Sequence, residues 1–193
     1  GWEEKSLGDD TLLKMIDGDR GKNYPKKVDF LEEGHCVFMN TGNVRPNGFD
    51  FSSVVFITKE RDNLLRKGKL QRDDIVLTTR GTIGNLGWYN SDIKYDHIRI
   101  NSGMLILRVN QEKILPEYLF TLFRSSIVTR QIIDKTSGAA QPQLPIKTLV
   151  TFTIPVSSSL TKQKEMVSLI EQMELQQEKL IKSYAHKLSN LIE

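Results

Sequence analysis

Three groups of residues in this 193-residue chain are of types that could carry chemistry. The first is Asp74 with Asp92-Ile93-Lys94. A metal-dependent nuclease gathers two carboxylates and a lysine of this kind around a phosphodiester. Many unrelated chains carry the same match, so only geometry could promote it. The second group is His35, His97 and His186 with the single cysteine, Cys36. The histidines are scattered and no second thiol joins Cys36, so no metal cluster is expected. His35 beside Cys36 is expected to be partly buried packing.

The third group sits in four polar, glycine-bearing segments: residues 17–25, 40–48, 80–85 and 137–143. Arginine suits guanine edges, and asparagine or glutamine suit adenine. Backbone amides beside glycine suit phosphate oxygens. The same residues also build ordinary surface turns. Arg80 is the first candidate for a base contact, with Asn43, Arg45, Gln141 and Gln143 next. Lys22 and Thr82 suit phosphates, and Arg20, Asn23, Tyr24 and Thr79 complete the candidate set. No G-x-S-x-G elbow, P-loop or G-x-G-x-x-G occurs, nor an Asn/Asp-Pro-Pro-aromatic run of the kind that holds a flipped base.

The elements that must position these segments are mostly short apolar runs. Residues 37–39, 54–57, 74–79, 86–89 and 104–109, with Ile98 and Ile100, read as strands. Residues 74–89 form a hairpin whose tip is 80–85. The start reads as a short strand or turn, then a short helix over Leu12, Leu13 and Ile16. Residues 59–72 carry six basic side chains against two acidic ones. They suggest a short helix around Leu64 and Leu65 with a solvated charged face. Residues 116–133 read as one helix, with Leu119, Phe120, Leu122, Phe123, Ile127, Ile132 and Ile133 in the core. A strand over 149–155 closes the domain. Strands without regular intervening helices predict an α+β fold with a mixed or antiparallel sheet.

The last stretch, from about Thr161 to Leu191, contains neither Gly nor Pro. Met166, Ile170, Met173, Gln177, Leu180, Tyr184 and Leu191 draw one stripe at helical spacing, widened by Leu169, Ile181 and Leu188. Met166, Met173 and Leu180 are seven apart, and so are Ile170, Gln177, Tyr184 and Leu191. A helix of about 30 residues spans about 45 Å. Two arrangements fit the stripe: packing on its own domain, or projection toward a partner helix. Length favours projection. Ser157-Ser158-Ser159 reads as a hinge and Thr161 as the N-cap. The division is a domain over 1–156 and a helical spacer or dimerisation region over 157–193.

The composition, 38% hydrophobic and 26% charged, is that of a soluble globular protein. The net charge is +3. The helix is neutral, Lys162, Lys164, Lys179, Lys182 and Lys187 balancing Glu165, Glu171, Glu174, Glu178 and Glu193, so the excess lies in the preceding domain. No apolar run approaches the roughly 20 residues that cross a bilayer. The start has no apolar h-region and Cys36 has no disulfide partner, which predicts a cytoplasmic protein without a signal peptide.

Four pieces in order then resemble the specificity subunit of type I restriction–modification systems. Trp2 with Leu7-Gly8-Asp9 is similar to the start of that family's recognition domain. Asn40-Thr41-Gly42-Asn43-Val44 resembles its TGN-I/V loop, and the segment from Asp74 through Thr79-Arg80-Gly81 to Gly84 its DIL-x-T-R-x-G-x-IG hairpin. Residues 137–144 and Ile154-Pro155 resemble the approach to its conserved helix. The linker here has fewer prolines, and Lys162-Gln163 stands where the family has Glu-Gln. The family carries two recognition domains and two helices in tandem, so one of each implies a half subunit. The resemblance implies a non-catalytic chain that reads double-stranded DNA. One domain would read half of a bipartite target, and the helix would set the spacing. No cofactor is expected on this chain. S-adenosylmethionine and ATP with magnesium belong to the partner modification and restriction subunits. A homodimer through the helix would restore the tandem layout. Two other functions remain open: an assembly or regulatory module without base readout, and the nuclease.

Overall fold

The computed structural model describes residues 1–192. Glu193, counted above in the helix charge, lies outside the described residues. In chain order the strands are β1 (Trp2–Ser6), β2 (Leu13–Asp17), β3 (Cys36–Met39), β4 (Val44–Arg45), β5 (Gly48–Phe49), β6 (Phe56–Ile57), β7 (Ile75–Thr78), β8 (Leu86–Trp88), β9 (Ile98–Ile100), β10 (Met104–Val109) and β11 (Thr153–Ser157). The helices are α1 (Lys59–Leu64), α2 (Pro116–Arg124), α3 (Ser126–Thr136), α4 (Ile146–Leu149) and α5 (Leu160–Ile192). The fold is α+β.

The central sheet runs β2-β10-β7-β8 and is antiparallel throughout. Its side chains alternate between two cores, as the period-two geometry of strands requires. Leu13, Ile75, Leu77, Leu86, Leu105 and Leu107 face α2 and α3, where they meet Tyr118, Leu119, Leu122 and Phe123. Val76, Met104 and Ile106 face the other way, onto Val37, Met39, Ile98 and Ile100. Those residues belong to the second sheet, β6-β3-β9, in which β3 and β9 are parallel. The second sheet is therefore mixed, and the central sheet lies between it and the helices. Because both of its faces are covered, β7 is wholly buried. A ribbon of β1 and β11 ties the chain start to the segment before α5.

Several expectations are corrected. Leu13 to Asp17 is a strand, not a helix, because Leu13 and Met15 turn inward while Lys14 stays out, and β10 offers an edge to pair with. The expected single helix over 116–133 breaks at Ser125, whose hydroxyl accepts from the Ile127 amide at 3.3 Å. The break turns Ile127 and Ile133 out to solvent. The closing strand begins only at Thr153, since residues after Pro145 turn into α4. Phe56 and Ile57 alone form the strand expected over 54–57.

No hinge separates the domain from α5. Ser157 is buried at the end of β11, and Ser159 rather than Thr161 stands at the cap, its hydroxyl accepting from the Lys162 amide at 3.4 Å. Gln163 is fully buried. Its carboxamide oxygen accepts from the Leu115 amide at 2.9 Å, and its nitrogen donates to the carbonyls of Lys113 and Ser157, both at 2.8 Å. Val167 is buried and Met166 packs on the same core. Beyond Ile170 every described side chain of α5 is exposed. Both arrangements of the stripe thus occur, on different turns: Met166 faces the domain, whereas Met173, Gln177, Leu180, Tyr184 and Leu191 project. At 33 residues α5 is about 50 Å long. None of the described helices is long and apolar enough to cross a membrane.

Gln163→Ala should leave one amide and two carbonyls unpaired inside the protein. A loss of roughly 2–4 kcal/mol is expected in urea unfolding; a loss below about 0.5 kcal/mol would show that the clamp is dispensable.

Candidate nucleic-acid interface

The polar segments meet at one end of the central sheet, around residues 101–103. Gly103 accepts from the Thr79 amide at 2.9 Å, and the Met39 carbonyl from the Asn101 amide at 3.0 Å. The Ser102 amide donates to the Tyr24 hydroxyl at 3.2 Å, and Arg20 reaches the Ser102 carbonyl at 3.5 Å. A side chain at Gly18 would meet the Asn101 carbonyl oxygen at 2.3 Å, so only glycine lets the 17–25 segment lie this close. On the other side, the Leu144 amide donates to the Thr79 carbonyl at 3.0 Å, and Arg80 lies opposite Gln143 in an antiparallel bridge. Gly81 at φ 72° turns the chain at the hairpin tip.

Asp19 fixes the 17–25 segment from inside. It is buried and accepts from the amides of Gly21 at 2.6 Å and Arg66 at 2.7 Å. Burial raises its pKa, but the backbone amides of Gly21, Arg66 and Lys67 outweigh that and hold the carboxyl below the usual aspartate value. Three adjoining clefts result. The first, about 280 Å³, is lined by Asp17, Arg20, Arg80, Gln143 and Lys147 among others. The second, about 440 Å³, shares Asp17 and Arg20 and adds Arg66 and Lys67. The third continues past Asp19 and Arg66 to Lys22 and Asn23. Arg20, Lys22, Arg66, Lys67, Arg80 and Lys147 give this trough six cations.

Of the candidates read from sequence, Arg20, Lys22, Asn23, Thr79, Arg80 and Gln143 line the trough. Tyr24 supports it from behind, its ring edge-on to Phe38. Thr82 and Gln141 are exposed on the segments that flank it. Two candidates are corrected. Asn43 is buried, with its amide donating to the carbonyls of Asp50 and Ser53 and its oxygen accepting from the Asn40 amide, so it builds the loop and has nothing left to offer a base. The Thr79 hydroxyl is spent on the Gly103 carbonyl. Arg45 is exposed beside Asp50, with which it pairs at 3.2 Å. Arg66, Lys67, Lys147 and Asp17 were missed. The basic run over 59–72 held the signal for two of them: Arg61, Lys69 and Arg72 are consumed by Asp29, Asp62 and Asp96, which leaves Arg66 and Lys67 for the cleft.

The nuclease constellation does not form. Asp74 is buried, takes Arg108 through both oxygens at 2.9 and 2.8 Å, and accepts the Gln71 amide at 2.7 Å. A carboxylate so saturated is not a free metal ligand.

Comparison with known proteins identifies the family. The family model described as the type I restriction modification DNA specificity domain matches residues 1–187. The chain belongs to that family. It is similar to the specificity subunit of the type I restriction enzyme HindI of Haemophilus influenzae, 24% identical over 168 residues, which cover 84% of this chain and 33% of that one. It is also similar to the EcoBI specificity subunit of Escherichia coli, 26% identical over 126 residues, covering 64% of this chain and 25% of that one. The specificity domain described here thus spans a third or less of the curated relatives it matches. Its fold resembles a chain from a type I R-M system solved to explain complex assembly and conformational transition, with TM-score 0.70, 16% identity, and coverage of 97% and 42% of the two chains. The HsdS subunit of Thermoanaerobacter tengcongensis gives TM-score 0.65 at 17% identity, with 95% and 40% coverage.

Away from the trough, the histidines are not scattered as expected. His35 and His97 stack with ring centroids 4.1 Å apart, and His35 Nε2 lies 3.4 Å from Asp62 Oδ2. Asp62 already holds Lys69 and Arg99, so a metal ion would compete with two resident cations for one carboxylate. Burial, Lys69 and His35 lower the His97 pKa in the specificity domain. The unfolded chain therefore takes up that proton first as pH falls, and the contribution of neutral His97 is present above the ordinary histidine pKa and lost below it. The thermal midpoint should fall between pH 7.5 and 5.5, and His97→Gln should flatten that slope; an unchanged slope in the variant would remove His97 as its source.

Proposed function

We propose that this specificity domain reads one half of a bipartite DNA target through the trough between Arg80 and Lys22. The observation that carries the reading is the set of six cations and exposed Gln143 on main-chain-fixed loops at one end of the sheet. Arg80 is the leading base reader, since its guanidinium is exposed at a glycine-turned tip and has no ion-pair partner among the described residues. Arg20, Lys22, Arg66, Lys67 and Lys147 suit phosphates. The chain itself is non-catalytic in this reading. It directs modification subunits, which hold S-adenosylmethionine, and a restriction subunit, which uses ATP and magnesium. The named relatives are specificity subunits of type I restriction enzymes, which supports that division of labour.

Arg80→Ala should weaken binding to the selected site by roughly 1–3 kcal/mol and leave random duplex nearly unchanged. Fluorescence anisotropy on both duplexes decides: equal losses would make Arg80 a phosphate contact. A selection that enriches no sequence, with the protein alone or with its modification subunits, would favour an assembly module without readout.

The second part of the proposal is a two-fold dimer through α5. Leu169, Met173, Leu180, Ile181, Tyr184, Leu188 and Leu191 are all half or more exposed, more apolar surface than a lone helix usually presents to water. A second copy of the same helix is the simplest cover. Antiparallel pairing would set two domains at opposite ends, as in a tandem subunit, and the target would be a split palindrome. Leu180 is midway between Leu169 and Leu191, near the two-fold axis in that pairing, with Gln177 beside it. Leu180→Asp would bury an unpaired charge there. Light scattering should show a wild-type dimer and a folded monomeric variant. A wild-type monomer at tens of micromolar would leave the modification subunits as the cover.

A further inference from the structure

Asp17 is the last residue of β2, and its side chain is on the apolar side of the sheet. The row Leu13, Met15, Asp17 points toward the core that holds α2 and α3, by the alternation that sends Ile16 to the other core. Across the sheet Asp17 lies opposite Leu105, which in turn lies opposite Leu77. A carboxylate thus stands where the row calls for a hydrocarbon.

Such a residue is normally compensated, and the other inward aspartates are. Asp62 holds Arg99 and Lys69, Asp74 holds Arg108, and Asp19 holds two backbone amides. Asp17 is half-buried and lines the first and second clefts beside Arg20, with Arg80, Lys147, Arg66 and Lys67 around it. None of these cations pairs with it, and its carboxylate makes no hydrogen bond among the described residues. An anion also works against phosphate binding in a cationic trough. A half-buried carboxylate that opens into the cleft with no protein partner among the described residues, in a groove otherwise lined by cations, suits a ligand that brings a donor.

We propose that Asp17 is a specificity-determining residue that accepts a hydrogen bond from the exocyclic N4 amino group of a cytosine. This rests on the DNA-reading role proposed above. In the major groove carboxylates take cytosine N4 and arginine takes guanine O6 and N7. Asp17 and Arg80 line the same cleft, so one G·C pair, or two neighbouring ones, meets an acceptor and a donor from one end of the sheet. The carboxylate also disfavours bases that present no amino donor. A thymine O4 or guanine O6 at the same place would set oxygen against oxygen.

The test is a sequence selection on the full chain, alone and with modification subunits, followed by anisotropy on duplexes with each base pair of the motif replaced in turn. Wild type should show a G·C position at which replacement weakens binding about tenfold or more. Asp17→Leu continues the apolar row, keeps the thermal midpoint, and should lose that one preference while retaining the others. Asp17→Asn keeps one acceptor oxygen and should lose part of it, which also covers the case in which Asp17→Leu fails to fold. Three results would overturn the inference while leaving DNA reading intact: unchanged preferences in the variants, tighter binding to all duplexes by one common factor, or a preference lost at an A·T pair. A wild-type protein that selects no motif in either setting would remove the DNA-reading role and this inference together.

Discussion

The carboxamide of Gln163 is the joint on which the molecule's geometry depends. One side chain closes three bonds, to the segment before α2 through Lys113 and Leu115 and to the end of β11 through Ser157. β11 is paired along its length with β1. The clamp therefore joins the chain start, the helical layer and the first turns of α5. A buried amide must satisfy all its polar atoms at once, which permits few orientations. The helix consequently leaves the domain in a fixed direction rather than on a serine hinge. A fixed direction sets where the exposed stripe near Leu180 lies relative to the trough. Lys162, beside it, is exposed, so its charge can change without touching the clamp.

A second constraint is how charge is sorted. The net excess is only +3, too small to mark a nucleic-acid surface by itself. Five aspartates of the domain are spent on local pairs. Asp29, Asp50, Asp62, Asp74 and Asp96 each take an arginine, with Lys69 adding to Asp62. Removing one partner from the buried Asp62–Arg99 pair would strand a charge, at about 3–5 kcal/mol. These pairs hold α1 and the two sheets together. They take none of the six trough cations, which have no ion-pair partner among the described residues. The six trough cations are thus a local cluster that the overall charge does not reveal.

Much of the architecture was legible from residue pattern. The 74–89 hairpin, the Val37–Met39 strand and the long helix follow from alternation and from the absence of Gly and Pro, and the structure has them. The errors arose where tertiary pairing overrides local pattern. Leu12, Leu13 and Ile16 fit a helix locally, but β10 needed an edge partner. Ser125 looks like a tolerable helix residue until its hydroxyl caps the next helix. At the site, arginine and glutamine beside glycine pointed to Arg80 and Gln143. Asn43 misled because an asparagine that closes a loop has the same sequence signature as one that reads a base. Asp17 was invisible for a different reason. Its meaning lies in missing compensation, and partners far apart in sequence decide that. His35 and His97, 62 positions apart, are brought together only by the parallel pairing of β3 with β9.

The loops around the trough are held mainly by main-chain groups and by side chains that face inward. Asp19, Asn43 and Asn101 accept from backbone amides within their own segments, and Thr79 and Leu144 are joined amide to carbonyl. Arg80, Gln143, Lys147, Arg66 and Lys67 contribute little to that framework through their side chains. Their side chains can therefore change without reshaping the backbone that presents them. This separation gives a physical account of why solved relatives at 16–17% identity keep the fold with TM-scores of 0.65–0.70. Framework residues answer to hydrogen-bond closure, and the outward ones are free of that constraint. Asp17 stands on the boundary between the two sets. It occupies a framework position in the Leu13–Met15 row, yet carries the chemistry of an outward residue. A carboxylate there gives up burial that a leucine would have, and a donor in the trough would offset that cost.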